Sequence, residues 1–459
     1  MAKEVSIKFL GAASTVTGSK HLLKTPDRNI LIDCGLFQGI KSLRRKNWEA
    51  LDVSVDKIDT VIITHAHLDH CGYIPLLVKS GFKGAVWMTA PTRDLVEIIL
   101  RDSARIQEED AERANKYGYT IHKPALPLYT MADVEKSLVL FNVCNDKEWI
   151  QLSSDIRFQF LKNGHILGSC FIEMECFGNT IIFSGDIGRM KSELLAPPTQ
   201  IDKADFVIME STYGNRLHTN DNVMDDLSEV INSTIHRRGV LLIPSFAVGR
   251  AQELMHMVLL LKRELFIPDI PVFMDSPMGA DATEILNKYP AWHKLSVEDS
   301  KALHDNIAII RDWHDTQKVL DKKGSKIVIA ASGMLTGGRV LEYVKQYIEN
   351  KRNTILLVGY QAEGTRGRAL QEGVHEIKVH GKYYTVNARV AQISSLSAHA
   401  DQLEMIDWLK NYKQKPGKIF LVHGEPMVQE AFRVKINDEL GIDTVIPLQN
   451  EEYNLFTTE

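Results

Sequence analysis

The sequence predicts an α/β protein that contains two kinds of sheet region. Strand patterns dominate up to about residue 205, whereas strands alternate with helical segments after that point. Such alternation is typical of a parallel sheet flanked by helices. Strand patterns separated by a helix return near the end of the chain. We therefore predict a first domain over 1–205, an inserted α/β domain over 206–390, and completion of the first domain over 391–459.

The first part is predicted to be rich in strands. Val5–Leu10 and Asn29–Asp33 are β-rich runs that end in glycine or turn residues. Asp59–Thr64 is a mostly apolar run of strand length that leads directly into the segment HAHLDH. Residues 91–117 are helix formers throughout, and 156–184 contains further strand patterns. The histidines and the aspartate of HAHLDH therefore follow directly after a predicted strand.

The inserted part is predicted to alternate between strands and helices. Helices are expected over Met224–His236, Arg250–Lys262 and Arg339–Asn350, and the apolar runs FVIME, GVLLIPS, IPVFMDS, KIVIAAS and TILLVGY are expected to form strands. In the tail, Val390–Ser394 and Ile419–His423 read as strands separated by a helix. This order favours a parallel sheet followed by a return to the first domain.

Composition excludes several classes of protein. Hydrophobic residues make up 44% of the chain and charged residues 25%, as in globular proteins, and the net charge of −5 argues against a non-specific DNA-coating protein. Five widely spaced cysteines predict neither a disulfide framework nor a cysteine zinc site. The N-terminus lacks a signal-peptide pattern, and no apolar stretch approaches membrane-spanning length. We expect a cytoplasmic protein without a membrane partner.

The segment HAHLDH predicts a metal site. It supplies His65, His67, Asp69 and His70 within six residues, directly after a predicted buried strand. Neutral imidazoles and carboxylates suit zinc, and a pair of ions needs about six or seven such ligands. The alternative, ordinary polar loop residues, leaves this concentration of histidine unexplained. The spacing favours two ions, with His65 and His67 at one and Asp69 and His70 at the other.

Two further candidates, His165 and Asp186, follow in glycine-rich settings. Each lies at the end of a strand pattern, in KNGHILGS and in FSGDIGR. Taken alone, a histidine such as His165 is more often a structural group than a ligand, and an aspartate such as Asp186 in SGD is most often a turn former. Their position behind HxHxDH favours the interpretation as ligands.

This ordered set resembles the metallo-β-lactamase superfamily, in which HxHxDH precedes a separate His, a bridging Asp and a final His. The resemblance implies an αββα sandwich. It also implies one zinc ion on His65, His67 and His165, a second on Asp69, His70 and His423, and Asp186 between them. Asp33 in NILIDCG matches an earlier acidic motif that would support the ligand loop, although a turn role remains open.

The inserted region resembles the β-CASP nucleases. Its motifs are ADFVIMESTYGNR with Glu210, SLSAHAD with His399 and LVHGE with His423, together with FAVGRAQEL, MDSPM, ASGMLTGGR and GYQAEGTRGR. With a histidine at the third motif, the chain resembles the branch of this family that acts on RNA. That branch includes the endonuclease subunit of pre-mRNA 3′-end cleavage. The resemblance implies that Asp69, Glu210 and His399 are catalytic, with His399 oriented by Glu210.

Glycines and arginines in the insertion suggest phosphate contacts. The segment ASGMLTGGR is expected to follow a strand and open a helix, where backbone amides can approach a phosphate. Arginines beside glycines can clamp phosphates with little obstruction. The candidates are Arg250, Ser332, Gly333, Gly337, Arg366 and Arg368. A tight turn, a flexible surface loop and, for Arg250, an ion pair at a helix start remain open.

We therefore expect a two-zinc ribonuclease that hydrolyses single-stranded RNA, either internally or from the 5′ end. The alternatives are a DNA nuclease of the same family, a small-molecule metallohydrolase of the thioesterase or lactonase type, and a catalytically silent RNA-binding scaffold. His423 disfavours the first, the large insertion disfavours the second, and the full ligand set disfavours the third. A homodimer and RNA-processing partner proteins are left open, and no additional RNA-binding domain is expected at either end.

Overall fold

A computed structural model describes residues 3–118, 120–218, 223–393 and 396–458. The chain forms two compact units. The first unit contains residues 1–190, 196–217 and 399–459, and the second contains 191–195 and 218–398. The first unit therefore combines segments that precede and follow the second unit in the sequence. Ser394, at the end of one predicted strand, lies outside the described residues.

The first unit holds two seven-stranded sheets. The strands of sheet 1 are β1 (Lys3–Phe9), β2 (His21–Lys24), β3 (Asn29–Ile32), β4 (Thr60–Ile62), β5 (Ala85–Thr89), β6 (Phe141–Cys144) and β22 (Glu452–Thr458). Those of sheet 2 are β7 (Ile150–Ser153), β8 (Ile156–Lys162), β9 (Cys170–Cys176), β10 (Asn179–Phe183), β11 (Phe206–Glu210), β20 (Lys418–Val422) and β21 (Asp443–Val445).

The two sheets pack face to face through aromatic side chains. The ring of Phe9 on β1 lies 5.4 Å from that of Phe420 on β20, and the ring of Trp87 on β5 lies 6.1 Å from that of Phe158 on β8. The helices of this unit are α1 (Lys41–Arg45), α2 (Leu68–Cys71), α3 (Ile74–Lys79), α4 (Ala90–Tyr117), α5 (Met131–Leu138), α13 (Gln402–Lys410) and α14 (Pro426–Leu440).

Helices α13 and α14 cover the outer face of sheet 2. Trp408 of α13 is fully buried and stacks on Phe171 of β9, with ring centroids 4.9 Å apart. Phe432 and Ile436 of α14 belong to the same apolar cluster. Burial of each such side chain contributes about 1.5–3 kcal/mol. The unit is an αββα sandwich, the fold that the resemblance to the metallo-β-lactamase superfamily implies.

The second unit is built on a parallel six-stranded sheet. Its strands are β12 (Val240–Pro244), β13 (Val272–Asp275), β14 (Ala308–Ile310), β15 (Lys326–Ala330), β16 (Thr354–Val358) and β19 (Arg389–Ile393), and a hairpin is formed by β17 (Glu376–Val379) and β18 (Lys382–Thr385). Its helices are α6 (Val223–His236), α7 (Arg250–Arg263), α8 (Pro277–Lys288), α9 (Val297–Asn306), α10 (Trp313–Asp321), α11 (Val340–Tyr347) and α12 (Arg366–Gln371).

Two strands lie in a different unit from the one that the sequence suggests. FVIME reads as the first strand of the insertion, but as β11 it pairs in parallel with β10 and β20 in sheet 2. The strand predicted at Val390–Ser394 reads as part of the returning first domain, but as β19 it pairs with β16 in the second unit. Strand pairing across long sequence separations decides both placements, and sequence pattern does not encode it.

Within the described residues, no helix combines the length and apolarity needed to cross a membrane. All five cysteines are buried free thiols.

Candidate metal centre

The HAHLDH segment leaves the end of β4 and enters α2. His67 is the N-cap residue of α2, and Asp69 and His70 lie within that helix. The loop of Asp33 packs tightly against this segment: a Cβ on Gly35 would lie 1.6 Å from the carbonyl oxygen of Asp69. The amides of Ser19 and Cys34 donate to the carbonyls of Asp69 and His70 at 2.8 and 2.7 Å. Close packing and hydrogen bonding therefore fix the backbone that carries the side chains of Asp69 and His70.

Three histidine nitrogens converge on one point. Nδ1 of His67 lies 3.1 Å from Nε2 of His65 and 3.1 Å from Nε2 of His165. Oδ2 of Asp186 lies 3.4 Å from the Nε2 atoms of His65 and His165. Donor atoms around a tetrahedral zinc ion are roughly 3.3 Å apart when each metal–nitrogen distance is about 2.0–2.1 Å. The spacing of these four residues fits one metal ion.

A second group lies beside the first. Nε2 of His423 lies 3.2 Å from Nε2 of His70 and 3.4 Å from Oδ2 of Asp69. Oδ1 of Asp186 lies 3.3 Å from Nε2 of His70, so the two oxygens of this carboxylate face different groups. Among the described residues, Asp186 Oδ1 is buried without a hydrogen-bond partner. A buried carboxylate oxygen in this state fits a metal ligand.

Burial and neighbouring charges shift the pKa values of these side chains in directions that favour cation binding. Burial, assisted by the neighbouring imidazoles, lowers the pKa of His65 and the pKa of His165. For the same reasons the pKa of His67 is lowered to about 3. These imidazoles are therefore neutral, as metal ligands must be. Burial opposes the charged form of Asp186, yet the imidazoles of His423 and His70 hold its pKa well below the usual range. The first group thus combines neutral nitrogens with a carboxylate anion. In the second group, burial disfavours the charged form of His70, but the carboxylates of Asp186 and Asp33 outweigh it and raise the pKa of this histidine.

Asp33 lies behind the second group. Its Oδ2 is 2.7 Å from Nδ1 of His70, and its Oδ1 accepts a hydrogen bond from the backbone amide of Thr64 at 2.8 Å. The Thr64 hydroxyl also contacts this carboxylate and lies 3.0 Å from Nδ1 of His65. Sequence reasoning singled out Asp33 and missed Thr64, because a threonine beside a histidine is too common to be a signal.

Glu210 and His399 form a pair beside the cluster. Glu210 is fully buried at the end of β11, where its carboxylate accepts hydrogen bonds from the amides of Ile187 and Thr212 at 2.5 and 3.3 Å. Both of its oxygens lie 3.1 Å from Nδ1 of His399. Burial disfavours the charged imidazole, but the carboxylates of Glu210 and Asp186 outweigh it and raise the pKa of His399 to about 9. His399 is therefore protonated at neutral pH.

Models of three protein families match the chain: the metallo-β-lactamase superfamily over residues 18–222, the Beta-Casp domain over 251–370, and the Zn-dependent metallo-hydrolase RNA specificity domain over 383–447. A ribonuclease of Thermus thermophilus is 33% identical over 426 residues, which are 90% of this chain and 92% of that protein.

This chain belongs to the β-CASP family of the metallo-β-lactamase superfamily. The transcription termination factor FttA of Methanocaldococcus jannaschii is 34% identical over 92% of this chain and 67% of that protein, and an RNase J-like protein of the same organism is 31% identical over 97% and 98%. A solved structure of a protein of unknown function from Enterococcus faecalis covers 98% of this chain and 100% of its own, with a TM-score of 0.53 and 10% identity, and so shares the fold alone.

In the second unit of this β-CASP protein, a loop runs from Ser332 to Arg339 between β15 and α11. The hydroxyl of Ser332 accepts from the amide of Thr336 at 3.1 Å and donates to the carbonyl of Gly337 at 3.2 Å, so the loop closes around it. A Cβ on Gly333 would lie 2.9 Å from the amide of Phe246, whereas one on Gly337 would meet open space. Packing therefore requires glycine at 333 and leaves residue 337 free to vary.

The three candidate arginines have different surroundings. Arg366 Nη1 donates to the carbonyls of Leu335 and Thr336 at 2.9 and 3.3 Å, so it lies against the Ser332–Arg339 loop. Arg368 pairs with Glu372 at 2.6 Å. Arg250 is buried at the start of α7 and pairs with Glu253, which is the ion-pair alternative that the sequence left open.

Proposed function

We propose that this protein is a two-zinc ribonuclease that hydrolyses phosphodiester bonds of single-stranded RNA. The observation that carries the proposal is the Asp186 carboxylate, whose two oxygens face two separate groups of metal-ligating side chains. Membership of the β-CASP family supports a nuclease, and the RNA specificity domain over 383–447 supports RNA as the substrate. A relative named as a ribonuclease supports the same choice.

The proposed ligands divide between two zinc ions. His65, His67 and His165 would hold one ion, and Asp69, His70 and His423 the other, with Asp186 shared. Imidazole and carboxylate donors in this number suit a pair of zinc ions. Asp33 supports the second ion indirectly, because its hydrogen bond to Nδ1 of His70 leaves Nε2 facing the group.

When bound, the two ions would supply a water nucleophile at neutral pH and would neutralise charge on the phosphoryl oxygens. The remaining task, a proton for the departing oxygen, falls to His399. Glu210 holds the Nδ1 side of this imidazole, so its Nε2–H group faces the cluster. Nε2 lies 4.0 Å from Oδ2 of Asp186. A protonated imidazole so oriented is a general acid for the leaving 3′-oxygen. In this proposal Glu210 and His399 are catalytic as a pair, and Asp69 is catalytic as a ligand of one ion.

Phosphates of the RNA are proposed to meet the second unit at the Ser332–Arg339 loop. The Gly333 amide would meet an anion directly, whereas the Ser332 hydroxyl and the Gly337 amide, which bond each other at 3.3 Å, would exchange that bond for the phosphate. Arg366 would order the loop through its bonds to the Leu335 and Thr336 carbonyls. Arg368 and Arg250 would contribute less to phosphate binding, because each is paired with a glutamate. The five buried free thiols agree with a reducing cytoplasm as the place of action.

The proposal is tested by incubating zinc-loaded protein with single-stranded RNA labelled at one end, beside DNA of matched sequence. We expect RNA to be cleaved and DNA to be spared. The double variant Asp69→Ala, His70→Ala should be inactive. The matched control is Asp315→Ala, His314→Ala, which removes the same residue types from the second unit, where His314 is exposed, and should retain activity.

The products separate the remaining alternatives. Attack by water leaves a 5′-phosphate and a 3′-hydroxyl, whereas attack by the RNA 2′-hydroxyl leaves a 2′,3′-cyclic phosphate. A ladder of internal fragments would indicate endonuclease action, and mononucleotides released from the 5′ end would indicate exonuclease action. Cleavage of DNA in preference to RNA, or an active double variant, would contradict the proposal.

A further inference from the structure

Thr212 and His423 lie side by side at the ends of two paired strands. β11 and β20 run in parallel with Glu210 opposite Val422, so the residues that follow each strand emerge at the same edge of sheet 2. Both side chains are buried, with 6% of Thr212 and 4% of His423 exposed. The Thr212 amide donates to Glu210, which fixes the backbone that carries the hydroxyl.

The hydroxyl of Thr212 makes two contacts with one residue. Its Oγ1 lies 3.1 Å from the carbonyl oxygen of His423 and 3.1 Å from Nδ1 of the same histidine. A hydroxyl has one hydrogen to donate, and a carbonyl oxygen can only accept. Both contacts are hydrogen bonds only if the hydroxyl donates to the carbonyl and accepts from an Nδ1–H group, and we assign the hydrogens in this way.

This arrangement determines which nitrogen of His423 is free. With the proton on Nδ1, the lone pair is on Nε2, and Nε2 is the atom that lies 3.2 Å from Nε2 of His70. The other acceptor near Nδ1, Asp186 Oδ1, is farther away at 3.5 Å. A partner on one ring nitrogen fixes the tautomer and orientation of a metal-binding histidine.

The other ligand group contains the same arrangement. The hydroxyl of Thr64 lies 2.9 and 3.0 Å from the two oxygens of Asp33, which only accept when ionised, and 3.0 Å from Nδ1 of His65. Nδ1–H of His65 must therefore donate to Thr64, which leaves Nε2 facing His67. The recurrence at a second histidine argues that the Thr212 contact belongs to the construction of the site.

We infer that Thr212 is a positioning residue that holds His423 with Nε2 available to one of the two metal ions. The inference rests on the proposed two-zinc site. It assigns a function to a residue of the ESTYGNR motif other than Glu210. Loss of the hydroxyl should weaken the binding of one ion and leave the binding of the other unchanged, because His65, His67 and His165 do not depend on Thr212.

The test compares Thr212→Val, which keeps the shape and removes the hydroxyl, with Thr212→Ser, which keeps the hydroxyl. Thr283→Val is the matched control, since buried Thr283 also donates to a carbonyl, that of Gly279 at 2.8 Å, and accepts from Gln252 at 3.1 Å. Zinc affinity and stoichiometry are measured by chelator competition. We expect Thr212→Val to bind one of two zinc ions about 10–100-fold more weakly. Thr212→Ser and Thr283→Val should bind both as the wild type does.

RNA cleavage by Thr212→Val should fall at limiting zinc and recover with excess zinc. Wild-type affinity for both ions in Thr212→Val would overturn the inference and leave the proposed function intact. A wild-type protein that binds two zinc ions without cleaving RNA would overturn the proposed function alone, and one that binds no zinc would overturn both.

A measurement on the wild type keeps the inference testable if Thr212→Val fails to fold. In zinc-loaded protein with ¹⁵N-labelled histidine, the His423 ring, assigned by comparison with His423→Gln, should carry its proton on Nδ1. Zinc attached to Nδ1 would overturn the inference.

Discussion

Both carboxylate oxygens of Glu210 lie 3.1 Å from Nδ1 of His399. Glu210 is fully buried, whereas the His399 side chain keeps 16% of its surface exposed. The carboxylate therefore fixes one nitrogen of the imidazole and leaves Nε2 facing the metal-ligating cluster. Because His399 contributes no donor atom to either proposed ligand group, its role can be separated from metal binding.

Replacing His399 by Ala should reduce single-turnover RNA cleavage by about 10²- to 10⁴-fold, the usual contribution of a general acid. Zinc content should stay at the wild-type level, since none of the proposed ligands is removed. His380→Ala, which removes a histidine that is 55% exposed in the second unit, is the control and should change neither quantity. An active His399→Ala variant would rule out the proton-donor role.

The pH dependence of cleavage should reflect the Glu210 and His399 pair. The pKa of His399 is raised to about 9, so the protonated acid is present below that pH and is lost above it. Glu210→Gln removes the negative charge that favours the imidazolium, which lowers the pKa of His399. The high-pH limb of the rate profile should therefore move to lower pH in Glu210→Gln. A limb that stays in place would show that another group controls it.

Asp186 and Asp33 should affect zinc differently. Asp186→Asn weakens a ligand of both groups and should lower the zinc content below two per chain under mild chelation. Asp33→Asn keeps an oxygen that can accept from Thr64 but removes the charge that supports His70, and should weaken the ion held by His70 by about 10–100-fold. Metal analysis after graded dialysis distinguishes the two. Equal behaviour of the two variants would contradict a shared position for Asp186.

Arg366 should matter for RNA binding without affecting zinc. Its guanidinium donates to the carbonyls of Leu335, Thr336 and Lys378, and a hydrogen bond from a charged group is worth about 1.5–3 kcal/mol. Arg366→Ala should raise KM roughly tenfold or more. Arg366→Lys should restore little, because a lysine cannot reproduce the planar fork. An unchanged KM in Arg366→Ala would show that the Ser332–Arg339 loop does not contribute to RNA binding.

Local sequence patterns predict much of this molecule. HAHLDH carries four polar side chains on six residues after a buried strand, so their proximity follows from the chain itself. The helix predicted over 91–117 matches α4 to within one residue at its start, and the parallel sheet of the second unit follows from regular alternation of strands and helices.

Contacts between distant segments are what sequence leaves undetermined. Thr212 and His423 are 211 positions apart, and they meet only because β11 and β20 pair. The same pairing assigns β11 to the first unit. Arg366 also donates to the carbonyls of a loop 30 residues away, and this contact depends on how that loop folds. No local periodicity reports such pairings.

The central claim is tested most directly by titrating metal-free protein with zinc while measuring bound zinc and RNA cleavage in the same samples. The account predicts that cleavage rises steeply as the second ion binds and reaches a plateau at two zinc ions per chain. Full activity with one ion or none, or no cleavage of RNA at two ions per chain, would contradict it.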